Sequence, residues 1–176
     1  MNKQDDSERL ETVGAALPDG RWLTLTLSWC NASMTSLSLR LAVARPEAPA
    51  VPTPEAEQIR LALERLAAGQ DAQFPTLPLD WDQLTPFTRD ILRTLHERVG
   101  SGETLTYGQL ATLAGHSGKA RAVGGAMARN PWPLVVPCHR VLGSGGALTG
   151  YTNPHGLDLK ALLLHLEGAS TRPGKG

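Results

Sequence analysis

Apolar side chains alternate with polar ones between residues 20 and 43, and a period of two is typical of strands rather than helices. The pattern fits two strands paired around Asn31. The charged residues 1–14 before them are predicted to be a loose head. After a proline-rich break, Thr53 provides a cap for a helix that ends at Gly69. The first part of the chain is therefore predicted to be an α/β domain with a small antiparallel sheet.

Helical spacing begins after a proline-containing linker at 71–84. Four helices are predicted beyond it, over residues 85–100, 106–115, 119–129 and 158–168, the last one capped by Asp158. Thr106 and Gln109 match a capping box at the start of the second of these helices. A short glycine-containing turn joins the second and third helices, which makes the pair a helix-turn-helix candidate. We therefore divide the 176 residues into an N-terminal α/β domain with its linker, 1–80, and a mainly α-helical C-terminal domain, 81–176.

The charges are distributed unevenly although the net charge is zero. A neutral balance argues against a nucleic-acid-binding protein, because the phosphate backbone attracts positive charge. No acidic residue stands between Glu103 and Asp158, however, while four basic residues do: Lys119, Arg121, Arg129 and Arg140. A surface that faces phosphates lacks carboxylates in this way, but a loop-rich segment can also lack them by chance. Charge alone leaves both interpretations open.

The third predicted helix consists almost entirely of small residues between Ala120 and Ala128. Gly124 and Gly125 each cost a helix interior about 1 kcal/mol relative to alanine, which implies that something approaches the backbone closely. That neighbour is either another part of the same domain or a nucleic-acid groove that Arg121 reaches as the one long side chain. Composition does not decide between the two.

Cys138 follows a proline-rich apolar run and precedes His139 and Arg140. Neighbouring cations lower the pKa of a cysteine and increase its thiolate fraction, so a reactive thiol is expected here. His139 is placed to take the proton and Arg140 to favour the negative form, and Glu167 is a candidate to orient the imidazole. The alternative is a buried structural cysteine beside a surface histidine. A cysteine hydrolase fits poorly, because adjacent residues seldom face each other.

The segment Pro137-Cys138-His139-Arg140-Val141 resembles the active-site motif of the O6-alkylguanine-DNA alkyltransferases, also called methylated-DNA–protein-cysteine methyltransferases. Four further segments match this family in order and spacing, at residues 104–111, 121–127, 130–131 and 163–168. The resemblance covers roughly residues 83–168, whereas residues 1–80 match only in outline. It implies an α/β domain with a small sheet, followed by a mainly helical domain that contains a helix-turn-helix.

The resemblance implies a single irreversible transfer of an alkyl group from O6-alkylguanine in DNA to Cys138. His139 would act as the base through a water molecule, with Glu167 orienting it. Tyr107 would help to rotate the 3′ phosphate and assist proton transfer to guanine, and Asn130 would tie the active-site turn to the helices. No cofactor is implied. Because a thioether is stable, the protein would react once.

The resemblance also implies binding of double-stranded DNA and base flipping, since O6 is out of reach while the guanine is stacked. The small-residue helix would pack against the minor groove, and Arg121 would occupy the vacated stack. The other residues implied at this contact are Lys119, Ala120, Ala122, Gly124 and Arg129. The pocket for the flipped base would include Met127, Trp132, Pro133, Val141, Tyr151 and Thr152. Thr152 would donate to O6, and the backbone carbonyls of Val141 and Cys138 would accept from the guanine amine.

The chain departs from the family in three places. One is Ser101, which stands before Gly-Glu-Thr where most relatives carry a tyrosine or a similar residue. The loop after Tyr151 is about two residues longer than in the family and is stiffened by Pro154, which leaves the accepted size of alkyl group open. Some relatives bind zinc in the N-terminal domain, but Cys30 is the only candidate ligand in the first 95 residues, since the first histidine is His96. We therefore expect no metal site.

Two other functions compete with this one. An alkyltransferase-like protein would bind O6-alkylguanine in DNA without transfer, but such proteins replace the acceptor cysteine, which is present here as Cys138. A helix-turn-helix regulator would leave the matches at Tyr107, Asn130 and Glu167 unexplained. The sequence has no apolar run of roughly 18 residues and no signal-peptide core, so we expect a cytoplasmic protein without membrane association. The near-neutral charge suggests a monomer.

Overall fold

The first part of the chain forms a three-stranded antiparallel sheet in the computed structural model, which describes residues 8–47 and 51–169. The strands are β1 (Glu8–Ala16), β2 (Trp22–Cys30) and β3 (Ser33–Ala42), and they lie in the order β1-β2-β3. The predicted pair of strands around Asn31 is confirmed, and Asn31 takes a positive φ of 55° in the turn. Burial alternates along β2, so one face contributes Leu23, Leu25 and Leu27 to the core.

The prediction of a loose head at residues 1–14 was wrong for residues 8–14, because β1 pairs with β2 over all nine of its residues. The first seven residues lie outside the described part of the chain. The strand is difficult to recognise in the sequence because Leu10 is 72% exposed while Glu11 is buried. The Glu11 carboxylate accepts hydrogen bonds from Thr53 N at 3.0 Å and Thr53 Oγ1 at 2.9 Å. These bonds offset the cost of burying the charge.

Helix α1 (Pro54–Ala67) packs on this sheet and contributes the second layer of the N-terminal core. The predicted cap is confirmed, since Thr53 Oγ1 accepts from Ala56 N at 3.2 Å. The buried side of the helix carries Ile59, Leu63 and Leu66. The α/β character predicted for this part of the chain therefore comes from one helix on one small antiparallel sheet.

The predicted linker at residues 71–84 lies against the outer edge of β3. Met34 N donates to Pro78 O at 2.8 Å, and Asp80 N donates to Met34 O at 3.1 Å. A 3-10 turn at Trp81–Gln83 follows. The segment therefore covers part of the sheet edge before the helical part begins.

The second part of the chain contains helices α2 (Pro86–Arg98), α3 (Tyr107–Leu113), α4 (Ala120–Ala128) and α5 (Gly156–Leu166), with a short parallel pair formed by β4 (Leu105–Thr106) and β5 (Val141–Leu142). The four predicted helices are confirmed. The prediction that Asp158 caps the last helix was wrong, since His155 is the cap and Gly156 N already bonds to Asn153 O at 2.8 Å. Within the described ranges, no helix has both the length and the apolar character that crossing a bilayer requires.

A single apolar core runs through both parts, and backbone bonds from β3 reinforce it. Leu37 N donates to Pro131 O at 2.8 Å, and Trp132 Nε1 donates to Met34 O at 3.0 Å. Trp132 is fully buried. The N-terminal sheet therefore supports the segment that leads to Cys138.

Thr106 determines where α3 begins. Its Oγ1 accepts from Gln109 N at 3.2 Å, and Gln109 Oε1 accepts from Thr106 N at 2.7 Å, which confirms the predicted capping box. Thr106→Ala removes the acceptor, so we expect the free energy of unfolding in urea to fall by about 1 kcal/mol. Thr106→Ser keeps the hydroxyl and is the matched control. Equal losses in the two variants would show that the cap is not the cause.

Candidate active site

The segment before Cys138 is folded into a tight turn by Asn130. Its Oδ1 accepts from Trp132 N at 3.0 Å, and its Nδ2 donates to Val136 O at 2.8 Å. Leu134, inside this turn, has a positive φ of 79°, which is an unfavourable conformation for a bulky side chain. The two hydrogen bonds of the Asn130 amide therefore stabilise the turn against the backbone strain at Leu134.

A buried ion-pair network joins the active-site turn to the end of α5. His139 Nε2 lies 2.9 Å from Glu167 Oε1, and Arg140 donates to both oxygens of the same carboxylate at 2.9 and 2.8 Å. Arg140 also donates to Val99 O at 2.7 Å, which anchors the network beyond the end of α2. His139 is fully buried. The structure thus brings His139 and Glu167 together, as the predicted orienting role of Glu167 requires.

The hydrogen-bond pattern assigns the protons of His139. Burial acts to raise the pKa of Glu167, but the bonds from His139 and Arg140 outweigh burial and lower that pKa to about 2. The carboxylate is therefore charged and only accepts hydrogen bonds. Burial lowers the pKa of His139, so the ring is neutral and its one proton lies on Nε2, facing Glu167. Nδ1 keeps a free lone pair and has no hydrogen-bond partner among the described residues, which equips it to act as a base.

The Cys138 thiol is protonated at rest, contrary to the sequence-based prediction. Cys138 is only 7% exposed, and burial raises the pKa of its thiol despite the Asn130 hydrogen bond and the Lys160 charge, which lower it. The prediction that Arg140 favours the thiolate was wrong, because the guanidinium is directed to Glu167. The thiol therefore depends on a base to become nucleophilic.

Lys160 is a site residue that the sequence reasoning missed. It is fully buried in α5, and its ammonium group donates to Val141 O at 2.6 Å and to Thr149 O at 2.8 Å. Burial lowers the pKa of Lys160 to about 8, an effect that a thiolate at Cys138 would oppose. Lys160 thus ties β5 to the segment before Tyr151 and brings positive charge towards the sulfur. The available signal was a lysine inside an apolar helix, since lysine is almost never fully buried without a partner.

A cavity of about 50 Å³ reaches Cys138. Four of the residues predicted for the pocket line it: Met127, Pro133, Tyr151 and Thr152. The other two do not. Trp132 packs edge-on against Trp81, with ring centres 4.9 Å apart, and Val141 O accepts from Lys160. The cavity therefore lies on the side of the sulfur that faces α4 and the loop after Gly150.

A surface groove of about 670 Å³ opens next to this cavity. Ala128, Gly150 and Thr152 line both spaces, so the groove leads towards the thiol. The residues that α3 and α4 contribute to the groove include Tyr107, Ala120, Arg121 and Gly124. The exposed side of α4 thus presents small residues and one long cation beside the entrance to the pocket.

The other residues predicted to contact DNA lie outside the lining of the groove. Lys119 Nζ lies 5.8 Å from the centre of the Phe87 ring. The Arg129 guanidinium packs close to Gly125, 3.5 Å from where a Cβ on that glycine would be. Ala122 is exposed on α4. Of the predicted contact residues, therefore, Ala120, Arg121 and Gly124 line the groove directly.

Tyr107 lies on the groove beside the pocket. Its one hydroxyl proton is shared between Thr149 O and Gly150 O, both at 3.2 Å. A Cβ on Gly150 would lie 2.7 Å from this hydroxyl oxygen, and Gly150 has a positive φ of 59°, so glycine is required there. Burial raises the pKa of Tyr107. The hydroxyl therefore stays protonated at neutral pH and is available as a donor.

Cys30 is separate from this constellation. It lies at the end of β2, where Asn31 Nδ2 approaches its sulfur at 3.8 Å, and both cysteines are free thiols. In the part of the chain that the structure describes, no group of three or more His, Cys, Asp or Glu side chains is arranged to hold a metal ion. The chemistry of the site therefore centres on the thiol of Cys138, the imidazole of His139 and the carboxylate of Glu167, with the Tyr107 hydroxyl and the Lys160 ammonium group beside them.

Residues 86–169 match the family model of the 6-O-methylguanine DNA methyltransferase DNA-binding domain. The methylated-DNA–protein-cysteine methyltransferase of Mus musculus is 46% identical over 105 residues, which are 60% of this chain and 49% of the mouse protein. The crystal structure of the Mycobacterium tuberculosis O6-methylguanine methyltransferase is 32% identical, with 96% of this chain and 97% of that chain covered and a TM-score of 0.67. The chain belongs to the methylated-DNA–protein-cysteine methyltransferase family.

The structural match to this methyltransferase family runs through both parts of the fold. The Mycobacterium tuberculosis protein has also been solved in complex with DNA, and that structure matches 93% of this chain and 95% of its own at 32% identity and a TM-score of 0.66. The chain spans about half the length of the curated relatives it matches first. The small antiparallel sheet and the helices around Cys138 therefore both lie within the structural match, whereas the family model matches residues 86–169 alone.

Glu167 makes the stability of the fold depend on pH. A carboxyl whose pKa falls from 4.5 to about 2 on folding contributes about 3 kcal/mol to the free energy of unfolding. That contribution is complete above pH 4.5 and is lost as the pH falls through 2. We expect Glu167→Gln to lose most of it at pH 7 and progressively less under acid, measured by urea unfolding across this range. Glu97→Gln, at an exposed position, is the control, and a pH-independent loss in Glu167→Gln would contradict the ion-pair explanation.

Proposed function

We propose that this protein repairs DNA by transferring the alkyl group of O6-alkylguanine irreversibly to its own Cys138. The observation that carries the proposal is the buried thiol next to a neutral His139 that has an open Nδ1 and is held by Glu167. Relatives named methylated-DNA–protein-cysteine methyltransferase support it. Because one chain contains the thiol, the base, the orienting carboxylate and the groove, we propose that a monomer is sufficient.

In this mechanism His139 Nδ1 takes the proton of Cys138, through a water molecule as the bridge. The sulfur then attacks the alkyl carbon in line with its bond to O6, so the S–C bond forms as the C–O bond breaks and its electron pair leaves on guanine. Tyr107 is the proposed donor of the proton that guanine needs to leave intact. Glu167 stabilises the imidazolium meanwhile. Tyr107 regains a proton from the His139 imidazolium through solvent, so the net change moves one alkyl group to sulfur and one proton from the thiol to guanine. The stable thioether ends the reaction after one turnover.

We infer that DNA lies along the groove beside α3 and α4, with these two helices acting as a helix-turn-helix. The small exposed residues of α4 suit a minor-groove contact, in which the backbone of the helix approaches the duplex closely. Because Cys138 is buried below the groove, the guanine has to leave the base stack to reach it. Arg121 is the proposed replacement in the stack, since it lines the groove and is exposed. Mycobacterium tuberculosis OGT, which is solved in complex with DNA, supports DNA as the partner of this chain.

The proposed transfer is tested by mass. The protein is mixed with a duplex that carries one O6-methylguanine, and the intact protein and its peptides are weighed, with Cys138→Ser as the control. We expect a gain of one methylene on the Cys138 peptide, limited to one per molecule, with Cys30 unchanged. Tight binding to the damaged duplex without any mass gain would contradict the transfer proposal. It would favour the alternative of an alkyltransferase-like protein that recognises the damage without transfer.

Arg121 provides a separate test of base flipping. We expect Arg121→Ala to slow methyl transfer from duplex DNA by about tenfold or more. Without the arginine side chain, nothing fills the space that the flipped guanine leaves, so the guanine returns to the base stack more readily. Transfer from free O6-methylguanine base should keep its rate, because no stack has to be opened. Arg98→Ala, at an exposed position outside the groove lining, is the control for charge. Equal slowing with duplex and free base would contradict the proposed role.

A further inference from the structure

The loop after Tyr151 is attached to the N-terminal sheet through one side chain. Asn153 Nδ2 donates to Leu39 O of β3 at 2.8 Å, and Asn153 Oδ1 accepts from His155 N at 2.9 Å. The two bonds fix the orientation of the amide, because a flip would place a donor against a donor and an acceptor against an acceptor. Asn153 therefore closes its own turn with one atom and fastens the loop to β3 with the other.

Asn153 also lines the cavity that reaches Cys138, together with Tyr151 and Thr152 of the same loop. The cavity measures about 50 Å³, whereas a cavity of roughly 150 Å³ is known to hold a benzene ring. The cavity is too small for the flipped guanine itself, so the loop has to move outward before any substrate enters. A larger alkyl group requires the loop to move farther.

A second part of the cavity lining is also hydrogen-bonded to β3, through the turn at residues 130–133. Pro133 and Asn130 belong to this part of the lining, and Leu37 N of β3 donates to Pro131 O between them at 2.8 Å. The hydrogen-bonding groups of alternate residues point to the same side of a strand, so Leu37 and Leu39 both present theirs to the outer edge of β3. Two parts of the pocket lining thus depend on positions two residues apart on one strand.

We propose that Asn153 is a specificity-determining residue whose bond to Leu39 holds the pocket narrow, so that the edge of the N-terminal sheet sets the largest alkyl group that Cys138 accepts. This inference rests on the proposed transfer to Cys138. It gives the sheet a role in substrate choice in addition to supporting the fold. The bond joins residues 114 positions apart, so loosening it frees the loop without removing any group that reacts.

Two substitutions of Asn153 separate its bond to Leu39 O, the tether, from its bond to His155 N, which closes the turn. Asn153→Asp keeps the acceptor for His155 N but removes the donor to Leu39 O, whereas Asn153→Ala removes both. Asn31→Asp makes the same chemical change at the turn between β2 and β3, outside the lining of the pocket, and is the matched control. Because one hydrogen bond changes a local equilibrium by roughly two- to tenfold, we expect selectivity changes of that order.

The measurement compares a large and a small reagent at Cys138, with peptide mass as the readout. The pairs are free O6-benzylguanine with free O6-methylguanine, and N-phenylmaleimide with iodoacetamide. We expect Asn153→Asp and Asn153→Ala both to raise the large-to-small rate ratio about two- to tenfold, with Asn31→Asp at the wild-type ratio. Unchanged ratios in both variants would overturn the inference, and so would an effect in Asn153→Ala alone, since the turn and not the tether would then be responsible.

The two reagent pairs also separate this inference from the proposed function. The maleimide and iodoacetamide rates report access to the thiol whether or not the protein accepts alkyl groups from guanine. If the wild type takes no alkyl group from either guanine while the maleimide ratio still rises in both variants, the tether is supported and the transfer proposal fails. If the wild type is alkylated by guanine and neither ratio changes, the transfer stands and the tether fails.

Discussion

The carboxylate of Glu167 is the group on which the rest of the site depends. It is almost entirely buried, and it accepts hydrogen bonds from His139 and twice from Arg140. A buried charge is tolerable only when it is paired and hydrogen-bonded, and here the pairing also assigns the proton of the imidazole. Because Glu167 stands at the end of α5 and Arg140 reaches Val99 beyond α2, the network sets the protonation of the site and the position of the active-site turn together.

Burial has opposite effects on the two partners of the proposed proton transfer. It raises the pKa of Cys138 and lowers the pKa of His139, so the resting pair is a neutral thiol beside a neutral base. A neutral thiol reacts slowly with oxidants and stray electrophiles, because the thiolate is the reactive form. Such a resting state suits the single irreversible reaction proposed for this thiol. Lys160 brings positive charge near the thiol but exchanges no proton with Cys138 or His139 in this scheme. Its bonds to Val141 O and Thr149 O hold β5 and the segment before Tyr151 in place.

Local signals predicted much of this structure, and long-range contacts explain what was missed. The turn at Asn31 and the capping box at Thr106 depend on neighbouring residues, so sequence alone was sufficient to find them. The strand β1 was missed because Glu11 is buried by a partner 42 positions away. The direction of Arg140 and the burial of Lys160 likewise depend on groups that only the fold brings close. The family resemblance pointed to Cys138, His139 and Glu167. The location of the imidazole proton on Nε2 could be assigned only from the distance between His139 and Glu167 in the structure.

The outer edge of β3 connects the stability of the fold with the shape of the pocket. An open strand edge exposes unpaired backbone groups and invites association with other strands. In this protein the segment at residues 71–84, the turn at Pro131 and the side chain of Asn153 bond to that edge. The last two of these also contribute to the walls around Cys138. The same hydrogen bonds therefore cover the edge and attach the segments that line the pocket, so we expect changes along this edge of β3 to alter the surroundings of the thiol.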